Sequence, residues 1–132
     1  MGTSAPSTSD SVRRKIIRIL HLVDTLSDSE LCRKELKNSQ FEASVEVVRT
    51  AEQFSSHLSG KQYDVILADY QLQGWNGMHA FGIFRKSGCR APFILVTGAI
   101  GEVKVAECMR EGVSDFVFKH DLSNLSTVIV PI

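Results

Sequence analysis

The sequence has no excess of charge of either sign. Its 132 residues include 15 Lys plus Arg and 15 Asp plus Glu, so the formal net charge is zero at pH 7. Direct binding to nucleic acid or to an anionic membrane usually needs a basic surplus, because phosphate groups dominate those interactions. The chain also lacks an apolar run near the ~20 residues that a membrane-spanning helix requires. We therefore expect neither a nucleic-acid-binding protein nor a membrane protein.

Cysteine is scarce as well. The three cysteines, Cys32, Cys89 and Cys108, cannot all pair with one another, and none lies in a CxxC motif. This usage indicates reduced thiols and favours a cytoplasmic location. The first 14 residues are rich in Ser and Thr and poor in apolar side chains, so we expect a disordered tail over 1–14 and one domain over 15–132.

Five short apolar runs alternate with segments of helical periodicity. The runs predict strands and read, in chain order, "KIIRILHLVD", "ASVEVVRT", "YDVILAD", "APFILVTG" and "SDFVFKH". Helices are predicted between them, near 50–60, 78–86 and 102–111, with a final helix in "LSNLSTVIVPI" that looks truncated. This alternation predicts an α/β protein with a five-stranded parallel sheet covered by helices on both faces. A sheet of this size favours the flavodoxin-like strand order 2-1-3-4-5.

The helix after the first strand carries its own signals. Ser27 or Asp28 is the expected N-cap, and Leu31 and Leu36 are expected to face the core. In the next helix Thr50 and Gln53 have the spacing of a capping box. The four histidines lack metal-ligand spacing, so packing or surface roles are expected for His21, His57, His79 and His120.

Four polar residues are predicted to converge at the carboxyl ends of neighbouring strands. Strand 1 ends at Asp24, strand 3 at Asp69, strand 4 at Thr97 and strand 5 at Lys119. Each alone is an ordinary turn, cap or surface residue, but strands lie ~4.8 Å apart, so together they should surround one small cavity. Two adjacent carboxylates repel each other without a cation, which favours a Mg²⁺ site. A nucleophilic carboxylate with a metal, a lysine and a hydroxyl is what phosphoryl transfer to an aspartate needs.

On these residues the chain resembles the receiver domains of two-component response regulators, from Lys15 to its end. The most specific segments are "YDVILADYQLQGWNG", "PFILVTGAIGE" and "EGVSDFVFKHDL". The resemblance implies that Asp69 accepts phosphate from a histidine kinase or phosphotransfer protein. It also implies Mg²⁺ held by Asp24, Asp69 and the backbone carbonyl of Gln71. The implied switch residues are Thr97, Lys119 and the aromatic Phe116.

One departure from the family leaves alternatives open. Receivers carry two adjacent acids after strand 1, but here Val23 precedes Asp24. A pseudo-receiver that acts as a phosphorylation-independent interaction module is therefore the main alternative. A small aspartate-nucleophile phosphatase is a third class, although Gln71 stands where that class has a second acid. The resemblance further implies an attached or separate output domain, and homodimerisation through the face of helix 4, strand 5 and helix 5, where Val103, Val105 and Met109 lie.

Overall fold

A computed structural model describes residues 16–37, 39, 41–98 and 101–129. The expected tail over 1–14 lies outside these residues. The main sheet has five parallel strands, β1 (Ile16–Leu22), β2 (Glu42–Val48), β3 (Val65–Asp69), β4 (Phe93–Thr97) and β5 (Asp115–Phe118). Their order is β2-β1-β3-β4-β5, which confirms the predicted 2-1-3-4-5 arrangement.

Helices connect the strands, as parallel crossovers require. They are α1 (Leu26–Leu36), α2 (Ala51–Gly60), α3 (Gly77–Ser87) and α4 (Glu102–Glu111), followed by a 3₁₀ helix (Lys119–Asn124) and α5 (Leu125–Ile129). A short antiparallel hairpin pairs Gln71–Leu72 with Trp75–Asn76 between β3 and α3. Among the described residues, no helix combines the length and apolarity needed to cross a membrane.

The sheet separates two apolar cores because side chains alternate between its faces along each strand. Even-numbered residues of β1 and β3, such as Leu20 and Ile66, pack with α2 and α3. Odd-numbered residues, such as Ile19 and Leu67, pack with α1 and α5. Every residue of β3 and β4 is buried, as expected for central parallel strands. By this alternation, Asp69 belongs to the α1 and α5 face.

The start of α1 differs from the prediction. Its N-cap is Thr25, not Ser27 or Asp28, and the Thr25 hydroxyl accepts a hydrogen bond from the Asp28 backbone N–H at 3.4 Å. Leu31 is 55% exposed, so its predicted core position is wrong. Cys32 and Leu36 are buried instead, because these two residues, four apart, share the inward face of the helix.

Two strand ends also differ from the prediction. β1 ends at Leu22, so Asp24 lies two residues beyond it, and β5 ends at Phe118, so Lys119 begins the 3₁₀ helix. A glycine ends α4: Gly112 adopts φ 115° directly after the helix. All three cysteines are free thiols. The expected positions change by a residue or two, but the residues remain at the carboxyl edge of the sheet.

Candidate functional site

The Asp69 carboxylate is the centre of the carboxyl edge. Asp69 is the last residue of β3 and is fully buried. Its Oδ2 accepts a hydrogen bond from the Asp24 backbone N–H at 3.1 Å and lies 3.6 Å from Nζ of Lys119. Its Oδ1 has no hydrogen-bond partner. One oxygen is therefore held by the protein, and the other retains unused acceptor capacity.

The surroundings of Asp69 favour its charged form. Burial on its own raises the pKa of the Asp69 carboxyl. The contact with His21, the backbone N–H of Asp24 and the charge of Lys119 act in the opposite direction, and the net effect lowers that pKa below its ordinary value. Asp69 is therefore an ionised carboxylate at neutral pH, as a nucleophilic or metal-binding role requires.

Asp24 reaches Asp69 through its backbone and lies half-buried beside it. Its carbonyl oxygen accepts a hydrogen bond from Nη2 of Arg49 at 3.0 Å, which ties the loop after β1 to the end of β2. The preceding residue, Val23, is fully buried, and its backbone N–H donates to the carbonyl of Val48 at 3.0 Å. The position of the absent family acid is thus an apolar part of the protein interior.

Thr97 ends β4 on the strand next to Asp69 and is buried, and its Oγ1 has no hydrogen-bond partner. A buried hydroxyl without a partner is unusual, and it would be satisfied by an added oxygen atom. Gln71 lies in the hairpin two residues beyond Asp69 and pairs with Asn76. Phe116 is half-buried on β5 against the α2 and α3 core. The roles of Gln71 and Phe116 stay predictions.

Lys119 makes a second contact that was not predicted. Its Nζ lies 3.0 Å from Oδ2 of Asp28, in the first turn of α1. Partial burial lowers the pKa of the Lys119 ammonium, but the hydrogen bond to Asp28 and the charge of Asp69 outweigh burial and raise that pKa. Lys119 is therefore a charged donor shared between two carboxylates. The sequence position of Asp28 could have predicted this contact, because Asp28 lies four residues after Asp24, where a helix begins near the carboxyl edge of the sheet.

His21 is the other residue whose proximity to the site was not predicted. It is fully buried on β1, and Nε2 lies 3.9 Å from Oδ1 of Asp69. Neither ring nitrogen has a hydrogen-bond partner. The strand register pairs His21 with Leu67, two residues before Asp69, so both side chains emerge on the same face of the sheet. Counting alternate residues along β1 and β3 would have predicted that His21 lies close to Asp69.

The residues present fit a hard divalent cation. Asp24 and Asp69 supply carboxylates at one edge, Oδ1 of Asp69 is a buried oxygen without a partner, and such oxygen donors suit Mg²⁺. Within the part of the chain that the structure describes, no three or more His, Cys, Asp and Glu residues group as a metal site. A metal here would therefore depend on two carboxylates, a backbone carbonyl and water.

The thiol of Cys32 lies beside these charges. With Asp28, Lys119 and Asp69 it lines a cavity of about 10 Å³ between α1 and the 3₁₀ helix. Burial, followed by the negative charges of Asp69 and Asp28, raises the pKa of Cys32 to about 12. The thiol therefore stays protonated at neutral pH and is not a nucleophile.

The sequence matches the response regulator receiver domain family over residues 22–130. That match covers most of the chain, and the chain belongs to this family. It is a receiver domain of two-component signalling, a signalling module and not a conventional enzyme. A relative is the transcription factor SKN7 of Candida albicans, 28% identical over 117 residues. The aligned region is 89% of this chain and 21% of SKN7, so the chain spans about a fifth of that protein.

Solved receiver structures share the fold. The receiver domain of a putative LuxO repressor protein from Vibrio parahaemolyticus superposes with a TM-score of 0.77 at 17% identity, covering 87% of this chain and 88% of that one. The receiver domain of the sensor histidine kinase PA1611 from Pseudomonas aeruginosa gives 0.73 at 22% identity, covering 87% and 95%. In that protein a magnesium ion is coordinated in the active-site cleft.

Proposed function

We propose that this receiver domain accepts a phosphoryl group on Asp69 from the phosphohistidine of a histidine kinase or phosphotransfer protein. The observation that carries the proposal is the carboxylate of Asp69 at the end of the central strand, with Lys119 Nζ 3.6 Å from Oδ2. A fixed cation beside an ionised carboxylate suits the transfer of an anionic group onto that carboxylate. Receiver domains as a family work with histidine kinases, which makes phosphohistidine the expected donor.

The transfer is a displacement at phosphorus. A carboxylate oxygen of Asp69 attacks, the new O–P bond forms, and the P–N bond of the donor breaks. The electron pair of that bond stays on the leaving imidazole, which takes up a proton from water. Lys119 lies where its ammonium would offset the negative charge added to Asp69. When bound at Asp24, Asp69 and the Gln71 carbonyl, Mg²⁺ would neutralise phosphoryl oxygens.

Thr97, Lys119 and Phe116 would carry the response. The unpartnered hydroxyl of Thr97 is a donor for a phosphoryl oxygen, and its inward movement would free space that Phe116 could enter. The surface that would change is α4, β5 and α5, where Val103 is 73% and Met109 43% exposed. We propose that an output domain, another protein or a second copy of this chain binds there.

The location and limits of the unit are also proposals. Three free thiols suit a reducing compartment, which supports a cytoplasmic location. We take 15–132 as the receiver unit.

The test is an intact-mass measurement after incubation with acetyl phosphate and Mg²⁺. Wild type should gain one phosphoryl group, and Asp69→Asn should gain none. Asp64→Asn is the matched control, because Asp64 precedes the same strand at its other end and contacts Arg18 instead of the site. Undiminished labelling of Asp69→Asn would contradict the assignment, and so would loss of labelling in Asp64→Asn with its fold intact.

A second candidate is a pseudo-receiver that binds partners without phosphorylation. It is favoured by Val23, fully buried where the family carries an acid, and by the complete burial of Asp69. A pseudo-receiver would show no labelling, and its thermal unfolding would not respond to Mg²⁺. Labelling of Asp69 would exclude it.

A further inference from the structure

Lys119 is held more closely by Asp28 than by the proposed phosphoacceptor. Nζ lies 3.0 Å from Oδ2 of Asp28 and 3.6 Å from Oδ2 of Asp69. The Asp28 side chain is 22% exposed and that of Lys119 33%, so this ion pair is partly shielded from water. One ammonium group therefore serves two carboxylates, and the closer of the two is not on the sheet.

Local structure explains why the Asp28 carboxylate is available. Thr25 caps α1, so Asp28 contributes only its backbone N–H to the cap and its side chain can turn to Lys119. α1 and the 3₁₀ helix pack on the same face of the sheet, one carrying the acid and the other beginning with the lysine. The pair thus joins two elements on either side of Asp69.

The same contact closes the site. The space left between Asp28, Lys119 and Asp69 is about 10 Å³, and its other lining residues are Leu31, Cys32, Val96 and Leu122. A cavity of that size holds at most a single water molecule. A phosphoryl group has four heavy atoms, so it cannot occupy this side of Asp69 until Asp28 or Lys119 moves.

We propose that Asp28 is a positioning residue that holds Lys119 in the unphosphorylated protein, so that a phosphoryl group on Asp69 must take the lysine away from Asp28. The inference rests on the proposed function. It adds that the Asp28 carboxylate competes with the phosphoryl group for Lys119 and so affects the rate of phosphorylation. Asp28 acts on the lysine side of the site, because its carboxylate oxygen Oδ2 lies 3.0 Å from Nζ of Lys119. Its negative charge also repels the incoming phosphoryl group.

The inference predicts effects of opposite sign for one substitution. Asp28→Asn keeps the shape of the side chain but removes its charge, so it should weaken the bond to Lys119 and lower the melting temperature of the unphosphorylated protein. It should also speed labelling by acetyl phosphate about three- to tenfold, because a nearby like charge is removed and Lys119 is released. A merely structural role would lower stability and labelling together.

Further variants sharpen the test. Asp28→Glu retains the charge and should return labelling towards the wild-type rate. Asp115→Asn removes the same charge from the far end of β5 and should leave labelling unchanged, since the Asp115 carboxylate accepts a hydrogen bond from the backbone N–H of Phe116 at the opposite end of the strand from Lys119. A double-mutant cycle of Asp28→Asn and Lys119→Met, followed by denaturant unfolding without any phosphodonor, measures the coupling directly.

The outcomes separate the two proposals. Positive coupling in the cycle together with faster labelling of Asp28→Asn supports the inference. If wild type is labelled and Asp28→Asn is labelled at the same rate or more slowly, the role of Asp28 is overturned and Asp69 remains the phosphoacceptor. Zero coupling between Asp28 and Lys119 overturns the inference that Asp28 holds the lysine, whatever the labelling rates are. Labelling of none of the proteins overturns the proposed function and the role of Asp28 in it, even if coupling is found.

Discussion

Replacing Val23 by Asp tests whether the missing family acid limits metal binding. Val23 is fully buried next to Asp24, and its backbone N–H is bonded to β2, so only the side chain would change. We expect Val23→Asp to be less stable than wild type in chelator and to gain more stability from Mg²⁺. Val23→Asn is the matched control, with nearly the same shape and no charge.

The magnitudes follow from burial and charge. Both variants lose the burial of a valine side chain, worth about 1.5–3 kcal/mol. The aspartate adds repulsion with Asp24 and Asp69, about 1–4 kcal/mol for unit charges near 4 Å at effective dielectrics of 80 to 20. A carboxylate at the same distance attracts a cation by a free energy of similar size. A change of about 1.4 kcal/mol is a tenfold change in affinity. We therefore expect Val23→Asp to bind Mg²⁺ several-fold more tightly than wild type.

Thermal unfolding with chelator and with millimolar Mg²⁺ measures both effects: the loss of stability without metal and the gain of stability on binding Mg²⁺. Each 1 kcal/mol should move the melting temperature by about 3–6 °C in a domain of this size. In chelator the melting temperature should be highest for wild type, lower for Val23→Asn and lowest for Val23→Asp. Added Mg²⁺ should raise Val23→Asp most. Equal gains for all three proteins would refute the reasoning, and a gain confined to Val23→Asp would favour the pseudo-receiver.

Three further predictions concern other parts of the domain. Lys119→Ala should still label but should lose the change in amide hydrogen exchange of α4 and β5 that phosphorylation causes in wild type; an unchanged response would make the lysine a bystander. Gly77→Ala should lower the free energy of unfolding by about 1–3 kcal/mol, because its Cβ would come within 2.5 Å of a buried β4 leucine, whereas Gly82→Ala meets nothing within 4 Å and should not. Glu46→Gln should destabilise by up to about 1 kcal/mol at pH 7. The hydrogen bond from Lys61 is the main cause of the lowered pKa of Glu46, so this contribution is fully present above the unfolded pKa of about 4.3 and is lost as pH falls through the lowered folded pKa. Urea unfolding should therefore give a smaller difference between wild type and Glu46→Gln at pH 3 than at pH 7.

The sheet was predictable because burial on both faces makes parallel strands continuous apolar runs. Their order followed from their number and the alternating helices. The start of α1 was harder to predict, since Thr25, Ser27 and Asp28 are all good N-cap residues and local sequence does not choose among them. In the structure Thr25 is the cap, and the Asp28 side chain contacts Lys119, which is distant in sequence.

The candidate site was predictable in part for the same reason. Asp69 and Lys119 follow apolar runs, so their meeting at one edge needs only the strand order. The contacts of Asp28 and His21 need more, namely how α1 packs over the sheet and which face each strand residue occupies. They therefore follow from the predicted fold and its strand alternation, and not from a single residue such as a histidine within a strand.

The most direct test of the central claim is chemical location of the phosphoryl group. Borohydride reduces an acyl phosphate on aspartate to homoserine, which peptide mass spectrometry can place in the sequence. After incubation with acetyl phosphate and Mg²⁺, we predict homoserine at position 69 in wild type and at no position in Asp69→Asn. Homoserine at any other aspartate, or its absence from wild type that is folded and treated identically, would contradict the account.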